Sequence, residues 1–131
     1  MKNPKMHKCG AYPFAKYCVI LGVEHPLVEK VFGDVRGSDG MTAMIENIVV
    51  VYISSHNDHA RTLSTLVHES VHVWQMIRSA AGEEGHSAEA EAYGIQLIFE
   101  DLRKDLIKLV DQAERDSEDK IEREGATDLY E

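Results

Sequence analysis

Two histidines and a glutamate lie close together in the segment TLVHESVHVWQM, residues 65–76. On a helix, residues four apart lie on the same face, so His68 and His72 would point the same way. Imidazole nitrogens bind zinc at about 2.0–2.1 Å, and Glu69, one position round the helix, would reach a water on the ion rather than the ion itself. The H-E-x-x-H spacing therefore predicts two metal ligands, His68 and His72, and a general base, Glu69.

The residues around this motif are apolar on several sides, among them Leu66, Val67, Val71 and Trp74. Such a pattern predicts a buried helix, in which polar side chains are costly unless something satisfies them. A bound metal would do so. The competing interpretation is a chance match, because three fixed positions arise by accident in a histidine-rich chain.

A third ligand is expected on a neighbouring element, because a catalytic zinc usually takes three protein ligands and keeps a fourth position for water. After a short glycine-containing break, the segment GHSAEAEAYGIQ supplies His86, Glu89 and Glu91. An antiparallel helical hairpin of this size would fold the start of the second helix back alongside the first. The spacing alone leaves these three candidates open.

The elements that must position these residues follow from periodicity and from helix start and stop signals. We predict a strand over 16–23, a short helix over 25–33, a turn or loop over 34–41, a strand over 48–54 and a long helix over 59–81. A second long helix is predicted to begin near Ser87 and to continue to residue 112. The second helix should bury Ile95, Ile98, Leu102, Leu106, Leu109 and Val110. Its interior Gly94 costs about 1 kcal/mol relative to alanine, which predicts a close contact at that point.

Length and charge bound the remaining possibilities. The chain has 131 residues, 44% of them hydrophobic, and a formal charge of −9, which predicts one domain over 1–110 and an acidic helical extension or tail over 111–131. The tail has nine acidic and three basic side chains. Without a basic stripe, the protein is not expected to bind nucleic acid.

No apolar run is long enough to cross a membrane, so no membrane partner is expected. The apolar segment YCVILGV is short and β-branched, which favours a strand over a signal peptide and predicts a cytoplasmic protein. The two cysteines, Cys9 and Cys18, do not form a disulfide framework and are expected to be reduced. The sequence gives no indication of the oligomeric state.

The segment HESVH, followed by a helix that carries EAEAY, resembles the gluzincin metallopeptidases, especially their small single-domain members. In that family a strand precedes the H-E-x-x-H helix, and a glutamate on the next helix is the third zinc ligand. The second family motif has an alanine three residues after this glutamate and commonly an aspartate four residues after it. Glu89 matches with Ala92, whereas Tyr93 stands where the acid is expected. The resemblance covers about residues 46–100.

The resemblance implies an α+β, zincin-like fold in which a small mixed or antiparallel sheet packs against the active-site helix and a following long C-terminal helix. It also implies Zn²⁺ as cofactor, with His68, His72 and Glu89 as ligands. Tyr93 would orient a ligand or stabilise an oxyanion, or else be a partly buried core residue. His86 would be a substrate-facing donor near the site, or the third ligand in place of Glu89.

These features predict a zinc metallopeptidase that hydrolyses a peptide or protein substrate, with the strand over 48–54 offering an edge to the extended chain. One alternative is a metal-binding zincin-fold sensor or partner-binding module with one cognate protein target. Two further alternatives are a zinc hydrolase that acts on other bonds and a metal-free helical interaction protein.

Overall fold

The computed structural model describes residues 2–56, 58–83, 85 and 87–129, with side chains described as far as residue 124. In this part of the chain the fold is α+β, with a four-stranded mixed sheet and three helices. The elements are β1 His7–Lys8, β2 Lys16–Leu21, α1 Pro26–Phe32, β3 Gly40–Ile45, β4 Ile48–Ile53, α2 His59–Ala80 and α3 Ala88–Leu129. The α+β class and the long C-terminal helix are as predicted.

The strands lie in the order β1-β2-β4-β3. β2 and β4 are parallel, with Lys16 opposite Ile48 and Leu21 opposite Ile53, whereas the outer strands β1 and β3 run antiparallel to their neighbours. β4 therefore pairs on both sides, and the prediction that it offers a free edge is wrong. The edge next to β4 belongs to β3.

Alternation along the two central strands produces two hydrophobic cores, because successive side chains of a strand point to opposite faces. Tyr17, Val19, Val49 and Val51 belong to the core that also contains residues of α2 and α3. Cys18, Ile20, Val50 and Tyr52 form the other core with Val28 of α1. The sheet therefore carries the two long helices on one face and the short helix on the other.

Helix α2 begins where the sequence signals predict. The Asp58 carboxylate accepts a hydrogen bond from the Arg61 backbone N–H at 3.0 Å, which caps the first turn. No glycine or proline interrupts the 22 residues that follow, and α2 spans about 33 Å at 1.5 Å per residue. This cap fixes where His68, Glu69 and His72 fall along the helix.

Strand β3 was not predicted, and the loop expected over 34–41 ends at Asp39 because Gly40 and Met41 begin the strand. β3 joins β4 in a tight hairpin, since Ile45 pairs with Ile48. Glu46 takes the left-handed φ of 56° in this turn, a conformation in which glycine or asparagine is usual. Glu46 itself therefore gives no signal for this turn in the sequence.

Helices α2 and α3 pack side by side and antiparallel. The Gly94 backbone of α3 lies against the six-membered ring of Trp74, where an added Cβ would come within 2.3 Å of a ring carbon. The Arg78 guanidinium lies 3.3 Å from the Glu91 carboxylate. The close contact predicted for Gly94 is confirmed, and these contacts fix the register of the two helices.

Helix α3 has 42 residues, a length of about 63 Å. Ile98, Leu102 and Leu106 are buried as predicted, with Ile95 and Val110 packed against the core. Leu109 is 38% exposed, so its predicted place in the core is wrong. The helix continues to Leu129, and the side chains of 111–124 are exposed to solvent. None of the described helices is long and apolar enough to cross a membrane.

A polar network ties the N-terminal strands to α3. The Tyr17 hydroxyl donates a hydrogen bond to the Asp101 carboxylate, and His7 Nε2 lies 2.6 Å from Asp105 Oδ2. Burial and the bond to Asp101 both raise the pKa of Tyr17, so the phenol stays protonated. The network aligns α3 over β1 and β2.

The two cysteines are free, as predicted, and both are buried. Burial raises the pKa of the Cys18 thiol from 9.0 to about 11.

Candidate metal centre

The imidazoles of His68 and His72 converge on one side of α2. Their Nε2 atoms lie 3.2 Å apart, because residues four apart on a helix lie one above the other. His68 is exposed and His72 is half-buried. The pair thus lies at the protein surface, and the prediction that both histidines are enclosed in a core is wrong.

A glutamine on the same helix holds the second imidazole. His72 Nδ1 lies 2.9 Å from Gln75 Oε1, three residues further along α2. An amide oxygen is an acceptor only, so this contact places the proton of a neutral ring on Nδ1. The Nε2 lone pair of His72 therefore points at His68 and is available to a donor or to a metal ion.

Glu69 lies beside the pair but on the sheet side of α2. Its side chain is 5% exposed, and Oε1 accepts a hydrogen bond of 2.8 Å from the Thr42 hydroxyl of β3. The carboxylate is thus held between the edge strand and the helix, next to His68 in sequence.

An open groove of about 450 Å³ runs beside these residues. Its lining comprises Ser38, Asp39, Gly40, Arg61, Ser64, Thr65, His68 and Glu69. Arg61 Nε donates a hydrogen bond of 2.8 Å to the Asp39 carboxylate on the groove wall. This bond lowers the pKa of Asp39 and raises that of Arg61, so both stay charged. The groove gives solvent and ligands access to the Glu69 side of the histidine pair.

The spacing of the histidine nitrogens fits a shared metal ion. Two nitrogens at 2.0–2.1 Å from a tetrahedral zinc lie roughly 3.3 Å apart, close to the observed 3.2 Å. Gln75 fits too, because a ligand histidine commonly donates its other N–H to an oxygen that fixes the ring. His68 and His72 are therefore the residues that could hold zinc. Without an ion, the same contact is an N–H···N hydrogen bond between the two rings.

Glu89 is not brought to the histidine pair. His72 and Trp74 point about 200° apart around α2, and the Trp74 ring contacts Gly94 of α3. Helix α3 therefore lies on the opposite side of α2 from the pair. In addition, Glu91 pairs with Arg78, which lies six residues, about 9 Å, further along α2 than His72.

Within the described residues, no group of three or more His, Cys, Asp or Glu side chains is arranged to hold a metal ion. Glu89 is exposed to solvent. Tyr93 is 63% exposed, so it is not a core residue, and it lies on the same distant helix. His86 lies outside the described residues. His68, Glu69 and His72 are the predicted site residues that the structure brings together.

Three residues of this site were missed in the sequence. The contact of Gln75 with His72 could have been predicted, because residues three apart on a helix are within reach of each other. Thr42 and Gly40 had no signal, since the strand that carries them was not predicted. In comparisons with known proteins, the chain matches no protein-family model, no curated protein and no solved structure.

Proposed function

We propose that the protein is a zinc-dependent peptidase in which His68 and His72 bind the ion and Glu69 is the general base. The observation that carries the proposal is the 3.2 Å separation of the two Nε2 atoms, next to a buried glutamate whose carboxylate borders an open groove. A buried carboxylate beside two converging imidazoles is costly unless a function or a ligand requires it.

Each residue has a separate role in the proposed reaction. Zinc, when bound, lowers the pKa of a water and polarises the substrate carbonyl. Glu69 takes one proton from the attacking water as its oxygen bonds to the carbonyl carbon. Glu69 then gives that proton to the amide nitrogen as the C–N bond breaks, so that the carboxylate is regenerated. Gln75 keeps the His72 ring oriented through Nδ1.

The arrangement of the elements supports a zincin-like fold. A strand precedes the H-E-x-x-H helix and a second helix follows it, the order that the resemblance to gluzincins implies. β3 is one of the two edge strands of the described sheet. Its Gly40 lines the groove, and its Thr42 contacts Glu69. An extended peptide that pairs with this edge would run past Glu69.

A third ligand comes from the resemblance to gluzincins. Glu89 is predicted by the resemblance alone, and its helix lies on the other side of α2 from the pair. The proposal therefore rests on His68, His72 and Glu69, which the fold brings together, and Glu89 stays a prediction that metal analysis tests.

The experiment separates metal binding from chemistry. The parent protein, loaded with zinc and freed of excess metal, is assayed for bound zinc and for cleavage of casein. We expect Glu69→Gln to keep its zinc and to lose activity by roughly 10²–10⁴-fold, and His72→Ala to lose both. The matched control is His59→Ala, another surface histidine of α2, which pairs with Glu114 at 3.0 Å and should keep both.

Two results would contradict the proposal. One is a parent protein that retains no zinc; the other is a Glu69→Gln variant that cleaves as fast as the parent.

A second candidate is a metal-binding sensor or partner-binding module with one cognate protein target. The observation that favours it is that only two nitrogens converge within the described residues, whereas a catalytic zinc usually takes three protein ligands. A protein that binds zinc through His68 and His72 but leaves casein intact, and that cleaves or captures a single protein, would support this candidate.

A further inference from the structure

Glu69 is held by one contact from across the sheet edge. Thr42 Oγ1 donates to Glu69 Oε1 at 2.8 Å, between residues 27 positions apart in the chain. Within the described residues this is the hydrogen bond that the carboxylate receives. Since Glu69 is 5% exposed, loss of this donor would leave one oxygen of a buried carboxylate without a partner.

A glycine two residues earlier makes the contact possible. Gly40 and Thr42 lie on the same face of β3, because side chains alternate along a strand. A Cβ at Gly40 would come within 2.7 Å of Thr65 Cγ2 and 3.2 Å of Glu69 Cγ. The missing side chain lets β3 approach α2, and this approach brings the Thr42 hydroxyl within reach of the carboxylate.

From this geometry we propose that Thr42 is a positioning residue for the general base, an inference that rests on the proposed peptidase function. With the threonine hydroxyl on Oε1, Oε2 is the oxygen left to take the proton from water. The threonine also fixes the plane of the carboxylate, and therefore the direction in which Oε2 points relative to the histidine nitrogens. Thr42 contacts Glu69 rather than the reacting atoms, so it acts through the base.

The test compares two substitutions at one position. Thr42→Val keeps the shape of the side chain and removes the hydroxyl, whereas Thr42→Ser keeps the hydroxyl. We expect Thr42→Val to lower kcat by roughly 10- to 100-fold, the range seen when a group that orients a site residue is removed. KM and zinc content should stay near the parent values. Thr42→Ser should recover most of kcat, which a purely structural role would not explain.

Thr62→Val is the matched control. Thr62 is buried, and its hydroxyl donates to the Asp58 carbonyl at 3.0 Å, about two helical turns from Glu69. Its kcat should equal that of the parent, and thermal unfolding of all three variants monitors the fold.

The outcomes separate the two proposals. If the zinc-loaded parent cleaves substrate and Thr42→Val keeps the parent kcat, or if Thr42→Ser is as slow as Thr42→Val, the positioning role is overturned and the peptidase proposal survives. If the zinc-loaded parent cleaves nothing, the peptidase proposal is overturned and the role of Thr42 with it.

Discussion

The packing of Gly94 on Trp74 predicts that Gly94→Ala destabilises the protein, the opposite of what this substitution usually does in a helix. In an ordinary helix interior, Gly→Ala stabilises by about 1 kcal/mol. At Gly94, however, a Cβ would lie 2.3, 2.6 and 2.9 Å from three carbons of the Trp74 ring. We therefore expect Gly94→Ala to destabilise the protein.

The magnitude follows from how far the ring must move. Ordinary contact needs at least 3.4 Å, so the nearest ring carbon would have to shift by roughly 1 Å, and overpacking of this kind costs about 1–3 kcal/mol. Trp74 is 2% exposed and lies against the Tyr12 ring at a centroid distance of 5.8 Å, so the upper end applies. After the gain in helix propensity, the free energy of unfolding should fall by about 2 kcal/mol, which lowers Tm by about 8 °C in a domain of this size.

Urea and thermal unfolding measure the effect. The control is Ala92→Gly at an exposed position of the same helix, which should lose about 1 kcal/mol through propensity alone. Adding Trp74→Phe to Gly94→Ala should restore part of the loss, because the smaller ring makes room for the methyl group. A Gly94→Ala protein more stable than the parent would refute the contact. It would also contradict the register of α2 and α3 that places Glu89 away from His68 and His72.

Three further predictions concern the third metal ligand, the contact between Tyr17 and Asp101, and the buried Cys18 thiol. Glu89→Ala should retain zinc as well as the parent while His72→Ala loses it, as measured by metal analysis after gel filtration; loss of zinc in both would instead make Glu89 a ligand. Tyr17→Phe removes the donor to Asp101 and should lower the free energy of unfolding by about 1–2 kcal/mol in urea titrations. The Cys18 pKa, raised from 9.0 to about 11, means that the unfolded chain releases a proton which the folded chain keeps. The contribution of Cys18 to stability should therefore be complete below pH 9 and fall as the pH rises toward 11. It is measured as the extra fall in the Tm of the parent relative to Cys18→Ala over this range, because the raised pKa of Tyr17 lowers the Tm of both proteins at high pH.

The elements that carry strong local signals were predictable from the sequence. The Asp58 cap and the run without glycine or proline define α2 to within one residue. The β-branched segments define β2 and β4. A glycine in the interior of a helix predicted the close contact that Gly94 makes with Trp74. The H-E-x-x-H spacing was sufficient to predict that His68, Glu69 and His72 lie close together, because the periodicity of a single helix decides that geometry.

What could not be predicted depends on tertiary packing. β3 has methionine and alanine among its residues and begins inside the segment predicted as a turn or loop, so its pairing with β4 is decided by the sheet rather than by propensity. Without β3, neither the contact of Thr42 with Glu69 nor the edge position of the strand could be foreseen. The position of Glu89 relative to the histidine pair could not be derived for a related reason: a hairpin of the right length fixes that two helices are neighbours, but not which side of α2 the second one covers.

The side of α2 that α3 covers has a consequence for how the site can be studied. The Trp74 side is buried and carries the packing with α3, whereas His68 is exposed and His72 is half-buried on the opposite side. Alanine at either histidine removes few core contacts and should change the free energy of unfolding by less than about 1 kcal/mol. If those variants fold like the parent and bind no zinc, the loss reports on the ligands themselves. If the alanine variants unfold, the histidine pair contributes to stability. The inference that α2 packs on α3 with one side and carries the metal ligands on the other without a structural role is then wrong.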